Sequence, residues 1–468
     1  MDEQSVPFPP ETPVPTRVSV PSAPRSFFER FTLMFKAVAI FFISLLLLIP
    51  TWWVYDLINE REIRRDSVVR EVSDKWASAQ SVSAPVLTVP YKVYVRDAKD
   101  KITHWERHLA YFLPDGYTAS GEIQTQIRHR SIYNVPVYST AIKASGTFTS
   151  LNLKALKIEE SDVLWDEAAI YVSISDVRGV TEQAYFRWND TTTPFVFGLP
   201  ANFRTSAGIN TPVKLSPEAT KTGYTFSYQF TIKGTEKLTM IPLARQNNIT
   251  LTSSWSSPNF DGYILPHENT VNDSGFTAVW KTSDFQSTVP HQWTEPHGKY
   301  SDGFSDGSIQ NIPGCSTTLV FGATDYQVTT RAVKYAITVI GLTFMMFFFI
   351  EVLGRKSVHP FQYILIGIAL VIFYTLLLSF SEHIPFNASY ALAASMTIGL
   401  VTLYSSAILH DKKFSALIAA TLVLIYGFIF TILKLEDFSL MVGSLGIFCA
   451  LAIVMYFSRK VDWSRSKA

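Results

Sequence analysis

A pentapeptide in the polar part of the chain matches the motif that carries the nucleophile of many serine hydrolases. Residues 303–307 read Gly-Phe-Ser-Asp-Gly, the G-x-S-x-G pattern in which the serine hydroxyl attacks an acyl carbon. The motif needs a hydrophobic strand before the serine and a helix after it, because a strained turn must present the hydroxyl. Both flanks are polar here, so the sequence disfavours a hydrolase that uses Ser305.

Histidines and a glutamate also suggest a metal site. His104 and His108 flank Glu106, and His291 and His297 follow in a polar segment, which are residue types that bind zinc. The spacing is not that of a zinc-binding helix, and on a strand two histidines four residues apart are separated by about 13 Å. The sequence also lacks a P-loop, a dinucleotide fingerprint and a haem attachment motif. We predict no metal, no cofactor, no catalytic residue and therefore no enzyme.

The other polar residues that can do chemistry belong to one apolar segment, residues 361–380, and to its two flanks. The candidate site residues are Ser379, Ser381, Glu382 and His383 at its end, Glu351, His359 and Gln362 around its start, and Tyr374 within it. A glutamate beside a histidine at a membrane surface can sense pH, bind a cation or pair with another domain. The alternative is a hydrogen-bonded helix end that stops before Pro385.

The distribution of charge shows which kind of protein must position these residues. The chain has 468 residues, of which 47% are hydrophobic and 17% charged, and the charges concentrate in residues 56–310 and almost vanish from 335–457. This contrast predicts a water-soluble region joined to a membrane region. The soluble region mixes acids with bases, which argues against nucleic-acid binding. Cys315 and Cys449 fall in different regions, so we expect no disulfide.

Six apolar runs are each long enough to cross about 30 Å of hydrocarbon as a helix. They predict spans at 37–58, 332–353, 361–380, 388–409, 414–433 and 438–457, the last five forming a bundle at 331–457. Trp52 and Trp53 stand where a signal peptide would need small residues, so we expect the first run to be an uncleaved anchor. The proline-rich residues 1–36 predict a disordered tail.

Orientation follows from the lysines and arginines of the short loops. Arg355 with Lys356, Lys412 with Lys413, and the basic residues of 458–468 fall on one side, whereas the opposite short loops hold only Lys434. Because positive loops stay in the cytoplasm, we predict that both termini are cytoplasmic and that residues 59–330 are periplasmic. The protein would then reside in a bacterial inner membrane.

Residues 59–330 change from a helical to a strand pattern. Residues 56–80 have helical periodicity and predict that the first helix continues beyond the membrane until Ser83, Ala84 and Pro85. β-Branched and aromatic segments then predict strands at 86–95, 122–130, 132–148, 169–175, 224–233 and 249–254. We predict an all-β, sandwich-like domain, of one or two subdomains, inserted between the first and second spans, with a long loop at 282–313.

A family resemblance rests on residues in four parts of the chain: Arg331, Lys334 and Tyr335; His359, Pro360, Gln362 and Tyr363; Phe373, Tyr374, Leu377, Leu378, Ser379, Ser381, Glu382 and His383; and Asp176 to Gly179. With these residues the chain resembles the CreD family of bacterial inner-membrane proteins. Ala77 and Ala84 stand where glycines are typical of the family. The resemblance implies membership of the CreBC two-component regulon and roles in envelope integrity, colicin tolerance and the response to β-lactams. It implies no biochemical activity.

Two functions of different kinds fit these observations. In the first, a non-enzymatic protein uses its periplasmic domain to bind an envelope protein, a lipid or a wall fragment, and its helices anchor the domain in the bilayer. In the second, the helices belong to a lipid or small-molecule transporter or flippase, which predicts a groove lined by Tyr374, Ser395 or Tyr404. The sequence leaves the ligand and the oligomeric state open.

Overall fold

The chain divides into a helical unit and a β-rich unit. The structure, a computed structural model, describes residues 32–149, 151–198, 207–217, 223–286, 289–294, 314–319, 325–354, 356, 358–435 and 438–459. One compact unit is Met1–Leu57 with Val328–Ala468, and the other is Ile58–Gln327. The β-rich unit is therefore inserted into the helical one, as the sequence predicts.

Six helices in the described residues are long and apolar enough to cross a membrane, which confirms the six predicted spans. The helices are α1 (Thr32–Leu46), α2 (Leu48–Trp76), α3 (Asp325–Lys334), α4 (Ala336–Leu353), α5 (Pro360–Ser381), α6 (Phe386–Leu409), α7 (Lys412–Lys434) and α8 (Ser439–Ser458). The first span combines α1 with α2, which only Leu47 separates. Helix α1 begins at Thr32, inside the segment predicted as a tail, and residues 1–31 lie outside the described part.

Local sequence signals set where several of these helices begin and end. Pro360 occupies the first turn of α5, where its missing N–H removes no helical bond. The Asp411 side chain caps α7 by accepting a hydrogen bond from the Lys413 N–H. Pro385 immediately precedes α6. The connections between α5, α6 and α7 are therefore short, and consecutive helices pack as neighbours, α5 against α6 and α6 against α7.

One glycine allows a close approach within the helical unit. Leu47, which is almost fully buried, packs directly on Gly367 of α5, and a Cβ atom at that position would collide with the leucine side chain. Small residues at such points let helices pack tightly in a bilayer. The junction between α1 and α2 is therefore fixed against the middle of α5.

The β-rich unit contains three sheets. Its strands are β1 (Gln80–Ser83), β2 (Val86–Arg96), β3 (Ile102–Phe112), β4 (Gly116–Arg130), β5 (Tyr133–Phe148), β6 (Ala169–Ser173), β7 (Tyr185–Trp188), β8 (Thr191–Pro194), β9 (Val196–Phe197), β10 (Gly208–Pro212), β11 (Tyr224–Thr235), β12 (Lys237–Ile241), β13 (Gln246–Ser253), β14 (Pro258–Asn259), β15 (Glu268–Asn272), β16 (Gly275–Ser283), β17 (Gln292–Thr294) and β18 (Cys315–Leu319). The strand orders are β1-β12-β18-β14, β17-β3-β2-β6-β10-β9 and β15-β16-β13-β4-β5-β11-β7-β8.

All six predicted strands are present, and their side chains alternate as the sequence indicates. In β11 every second residue from Tyr224 is buried, and the residues between them face outward. Buried residues of all three sheets form one continuous hydrophobic core. A stack of aromatic rings from Phe186, Phe226, Tyr228 and Phe230 lies within it, with neighbouring centroids 5.8 to 6.4 Å apart.

Two sequence predictions need correction. The helix ends at Trp76, short of the helical pattern predicted to Gln80 and of the break predicted at Ser83 to Pro85, because Gln80–Ser83 forms β1, which pairs in parallel with β12. The fully buried Gln80 side chain donates hydrogen bonds to the carbonyls of Asp176 and Lys233, which hold this strand. The predicted loop at 282–313 includes β17, which pairs with β3, and there Trp293 stacks on Tyr111 at 5.1 Å. Residues 287–288 and 295–313 lie outside the described part.

Candidate functional site

Glu351 sits in a buried polar cluster near the start of α5. One carboxylate oxygen accepts hydrogen bonds from the ammonium group of Lys36 on α1 and from the Val358 N–H, and the other accepts from the Tyr363 hydroxyl at 3.2 Å. The Glu351 side chain is 9% exposed and that of Lys36 is 26% exposed. The cluster therefore joins α1, α4 and α5 through a compensated charge.

His359 and Gln362, the other two candidates on this side, form the cap of α5. The His359 ring nitrogen Nδ1 accepts a hydrogen bond from the Phe361 N–H, and the Gln362 side chain accepts one from the His359 N–H at 2.9 Å. This is a reciprocal capping box in which histidine takes the usual place of serine or threonine. Both side chains thus cap the N-terminus of α5, immediately beside the Glu351 cluster.

The opposite end of α5 carries Ser379, Ser381, Glu382 and His383. The Ser381 hydroxyl donates to the Leu378 carbonyl at 2.9 Å, and the His383 N–H donates to the Phe380 carbonyl. The His383 Nδ1 lies 3.2 Å from the Ser379 carbonyl oxygen. These are bonds of a helix C-terminus, and α6 begins three residues later at Phe386.

The structure does not bring the two groups of candidates together. Helix α5 has 22 residues and is therefore about 33 Å long at 1.5 Å per residue, which separates its ends by the thickness of the hydrocarbon core. Glu351 with Lys36 and Glu382 with His383 are consequently two separate sites, one near each end of α5.

Tyr374 lies between these ends in an aromatic cluster. Its ring contacts Phe373, which in turn contacts Tyr390 on α6 and Tyr426 on α7. The Tyr390 hydroxyl donates to the Tyr426 carbonyl at 2.8 Å, whereas the hydroxyls of Tyr374 and Tyr426 have no hydrogen-bond partner within the described residues. The three tyrosines are buried and link three helices.

The residues named for a transport groove do not share one surface. Tyr374 is 1% exposed, whereas Ser395 faces outward and donates a hydrogen bond back to the Ala391 carbonyl. A groove of about 300 Å³ does lie between α2 and α5, but its lining is almost entirely apolar. The residues that line it are Pro50, Trp53, Val54, Leu57, Ile368, Val371, Ile372 and Thr375.

Comparison with known proteins identifies the family of this architecture. The family model of inner membrane protein CreD matches residues 32–464. The chain is also 30% identical over 435 residues to the inner membrane protein CreD of Escherichia coli (strain K12), an alignment that covers 92% of this chain and 94% of that protein. The chain belongs to the CreD family. It is a multi-pass inner-membrane protein.

Some of the residues that carry the CreD resemblance have a structural role in the β-rich unit, at the end of α2. The cationic groups of Arg128 and Lys233 contact the ring of Trp76, at 4.8 and 4.7 Å from its centroid. Asp176 accepts hydrogen bonds from the Ser78 N–H and from the Arg178 guanidinium, and Arg178 also donates to the Asp74 carbonyl. The Arg178 guanidinium holds the pKa of Asp176 well below its usual range.

The structure gives no support to the G-x-S-x-G motif or to the possible zinc site formed by the histidines and Glu106. Residues 303–307, with Ser305, and His297 lie outside the described part. His104 and His108 face the same side of β3 as Glu106, with ring nitrogens 3.6 and 3.5 Å from its carboxylate. No group of three or more metal-binding side chains able to hold an ion occurs in the part of the chain that the structure describes.

The sequence did not predict two members of the Glu351 cluster. Lys36 falls at the end of the predicted tail, residues 1–36, and Tyr363 enters only through the family resemblance. The Lys36–Glu351 pair could have been predicted from one feature of the sequence. A lysine and a glutamate stand at the same end of two different predicted spans, and a charge buried in a membrane bundle needs a partner.

Proposed function

We propose that the protein is a non-enzymatic inner-membrane protein that supports cell-envelope integrity and the response to envelope stress. Both termini are cytoplasmic, and the sandwich-like β domain is periplasmic and binds an envelope protein, lipid or wall component. The asymmetry of lysine and arginine in the short loops supports this orientation. Membership of the CreD family supports placement in the inner membrane.

The architecture carries the proposal. More than half of the chain is a folded domain with one continuous core, and it is inserted between the first and second spans. A domain of this size, held at a membrane and with a broad exposed polar sheet face, is suited to contacting other envelope components. Glu351 already takes part in an ion pair, and His359 and Gln362 already cap α5, which fits an anchor.

Complementation of a deletion strain tests the proposal. We expect the full chain to restore resistance to detergent, to a β-lactam and to colicin, and to reduce leakage of a periplasmic marker enzyme. A matched chain in which a flexible linker replaces residues 80–319, present in the membrane at equal abundance, should fail. Restoration by the chain without its β domain would contradict the proposal, as would turnover of an envelope substrate by the purified protein with loss of activity on mutation of one residue.

A further inference from the structure

The outward face of the eight-stranded sheet carries a continuous row of polar side chains. Strand pairing places one residue from each of six neighbouring strands side by side across the sheet. This polar row consists of Arg187, Ser227, Ser145, Thr118, Asn248 and Lys281. Because neighbouring strands are about 4.8 Å apart, the row extends for about 24 Å.

The polar row has unused hydrogen-bonding capacity. Its four uncharged side chains have no hydrogen-bond partner among the described residues, and all but the half-buried Ser227 are exposed. Lys143 lies two residues along β5 from Ser145, is exposed, and has no ion-pair partner in the described part. The four uncharged side chains and Lys143 can therefore bond a ligand without first breaking side-chain contacts within the described residues.

Two shallow depressions follow the row. They have volumes of about 440 and 1110 Å³ and share Thr118 and Ser145, so they adjoin, and we call the two depressions together the trough. Exposed aromatic rings flank it at opposite ends, with Tyr185 54% exposed in the smaller depression and Phe285 97% exposed in the larger. Exposed rings of this kind offer a flat apolar face to a ligand.

The charges of the trough define the class of ligand. Its described lining includes Lys143, Arg187 and Lys281 and no acidic residue, although Lys281 contacts Glu268 at 3.1 Å outside the lining and Arg187 lies 3.9 Å from Asp190. From the strand order, Lys143 lies about 10 Å across the sheet from Arg187 and about 15 Å from Lys281, and these two are about 24 Å from each other. A nucleic-acid strand carries a charge about every 3.4 Å and would need a denser array of cations.

We propose that this trough binds a glycan strand that carries carboxylates at wide intervals, an inference that rests on the proposed envelope-binding role of the β domain. The hydroxyl and amide groups of a sugar chain repeat closely enough to meet the row of serine, threonine and asparagine side chains. The C–H face of a sugar ring matches Tyr185 and Phe285, and sparse carboxylates match the spaced cations.

Binding of a defined glycan to the full-length protein in nanodiscs tests this inference. The probe is peptide-free wall glycan of alternating N-acetylglucosamine and N-acetylmuramic acid, which carries one carboxylate per disaccharide. The same glycan with its carboxylates converted to amides is the uncharged comparison, and single-stranded poly(dT) represents nucleic acid. We expect the charged glycan to bind, the amidated glycan to bind more weakly, and poly(dT) to bind least.

Two substitutions in the trough and one outside it complete the experiment. Lys143→Glu should weaken glycan binding by about tenfold or more, because a charged hydrogen bond is replaced by repulsion. Ser145→Trp should block the centre of the trough. Lys101→Glu makes the same charge change at an exposed turn between β2 and β3 and should leave binding unchanged. Thermal unfolding of each variant establishes that it is folded.

The outcomes separate this inference from the proposed function. No binding of the charged glycan, equal binding by the two trough variants and the wild type, or equally tight binding of poly(dT) would overturn the inference. If the wild-type chain still complements the deletion strain in that case, the envelope role stands and its ligand is not a glycan held in this trough. Loss of both binding and complementation in Lys143→Glu, with Lys101→Glu normal in both, would support the inference.

Discussion

The Lys36–Glu351 ion pair joins residues that are 315 positions apart in the chain and fixes α1 against α4. Lys36→Met leaves a buried carboxylate without its cation, and we expect a loss of stability at the lower end of the about 3–5 kcal/mol typical of breaking a buried pair. The lower end applies because 26% of the lysine side chain is exposed. Fluorescence-detected thermal unfolding of the full chain in detergent measures the loss.

The double variant Lys36→Met/Glu351→Met removes both charges and should recover most of this loss, because neither charge then remains buried alone. Lys413→Met, at an exposed lysine in the first turn of α7, is the matched control and should unfold like the wild type. If the double variant is no more stable than Lys36→Met alone, the pair does not act as a unit.

Glu382 and His383 at the other end of α5 lead to a different expectation. The bonds described there include backbone bonds of the helix end, which side-chain substitution does not remove. We therefore expect Glu382→Gln and His383→Ala to complement a deletion strain at normal membrane abundance. Failure of either variant while it is still inserted would show that this membrane surface is the working part of the protein.

At the scale of elements, the junction of α2 with the sheets depends on Asp176. Its carboxylate accepts hydrogen bonds from Ser78 and Arg178, so Asp176→Asn should lower the unfolding temperature at neutral pH by roughly 2–4 °C. In the folded protein the pKa of Asp176 lies below 3.8, its value in the unfolded chain. The stabilisation by the ionised carboxylate is therefore complete above pH 3.8 and is lost as the pH falls through the folded pKa. The difference between variant and wild type should therefore shrink only in strongly acidic solution.

Tryptophan fluorescence of the full-length protein across a pH series measures this difference. Asp190→Asn provides the control, since its carboxylate is fully exposed and lies 3.9 Å from Arg187. An exposed pair of this kind contributes little to stability. A shift for Asp190→Asn as large as that for Asp176→Asn would assign the effect to net charge and not to the junction.

Signals within single segments predicted the elements, and contacts between distant segments escaped prediction. Hydropathy predicts the six spans, and the two-residue alternation of apolar and polar side chains predicts β11; both are local properties of the sequence. By contrast, β1 is a strand because it pairs with β12, and the Gln80 side chain then bonds to the carbonyls of Asp176 and Lys233. Strand β17 likewise pairs with β3, where Trp293 stacks on Tyr111. Division into three sheets, the Glu351 cluster and the polar row all depend on such pairings between distant segments.

For the whole molecule, the six spans of the described residues put the start of the first span and the end of the last on the same side of the membrane and make the loops alternate. Helix α2 carries the chain from the first span into the β domain, and α3 and α4 lead back into the bundle. The side on which the β domain lies then determines which short loops are cytoplasmic. The loop before α7 carries Lys412 and Lys413, whereas Lys434 ends α7 at its other end. The positive-inside rule therefore assigns these two ends to opposite compartments.

Single-cysteine labelling tests this assignment in a background of Cys315→Ser and Cys449→Ala. With a membrane-impermeant maleimide added to cells whose outer membrane is permeable, we expect Lys101→Cys in the β domain and Lys434→Cys to react. Lys413→Cys should react only after the inner membrane is permeabilised, because its loop is cytoplasmic. If Lys413→Cys reacts while the inner membrane is intact and Lys101→Cys is protected, the orientation of the protein in the membrane is the reverse of the one predicted. That result would place the polar trough in the cytoplasm, away from any wall glycan.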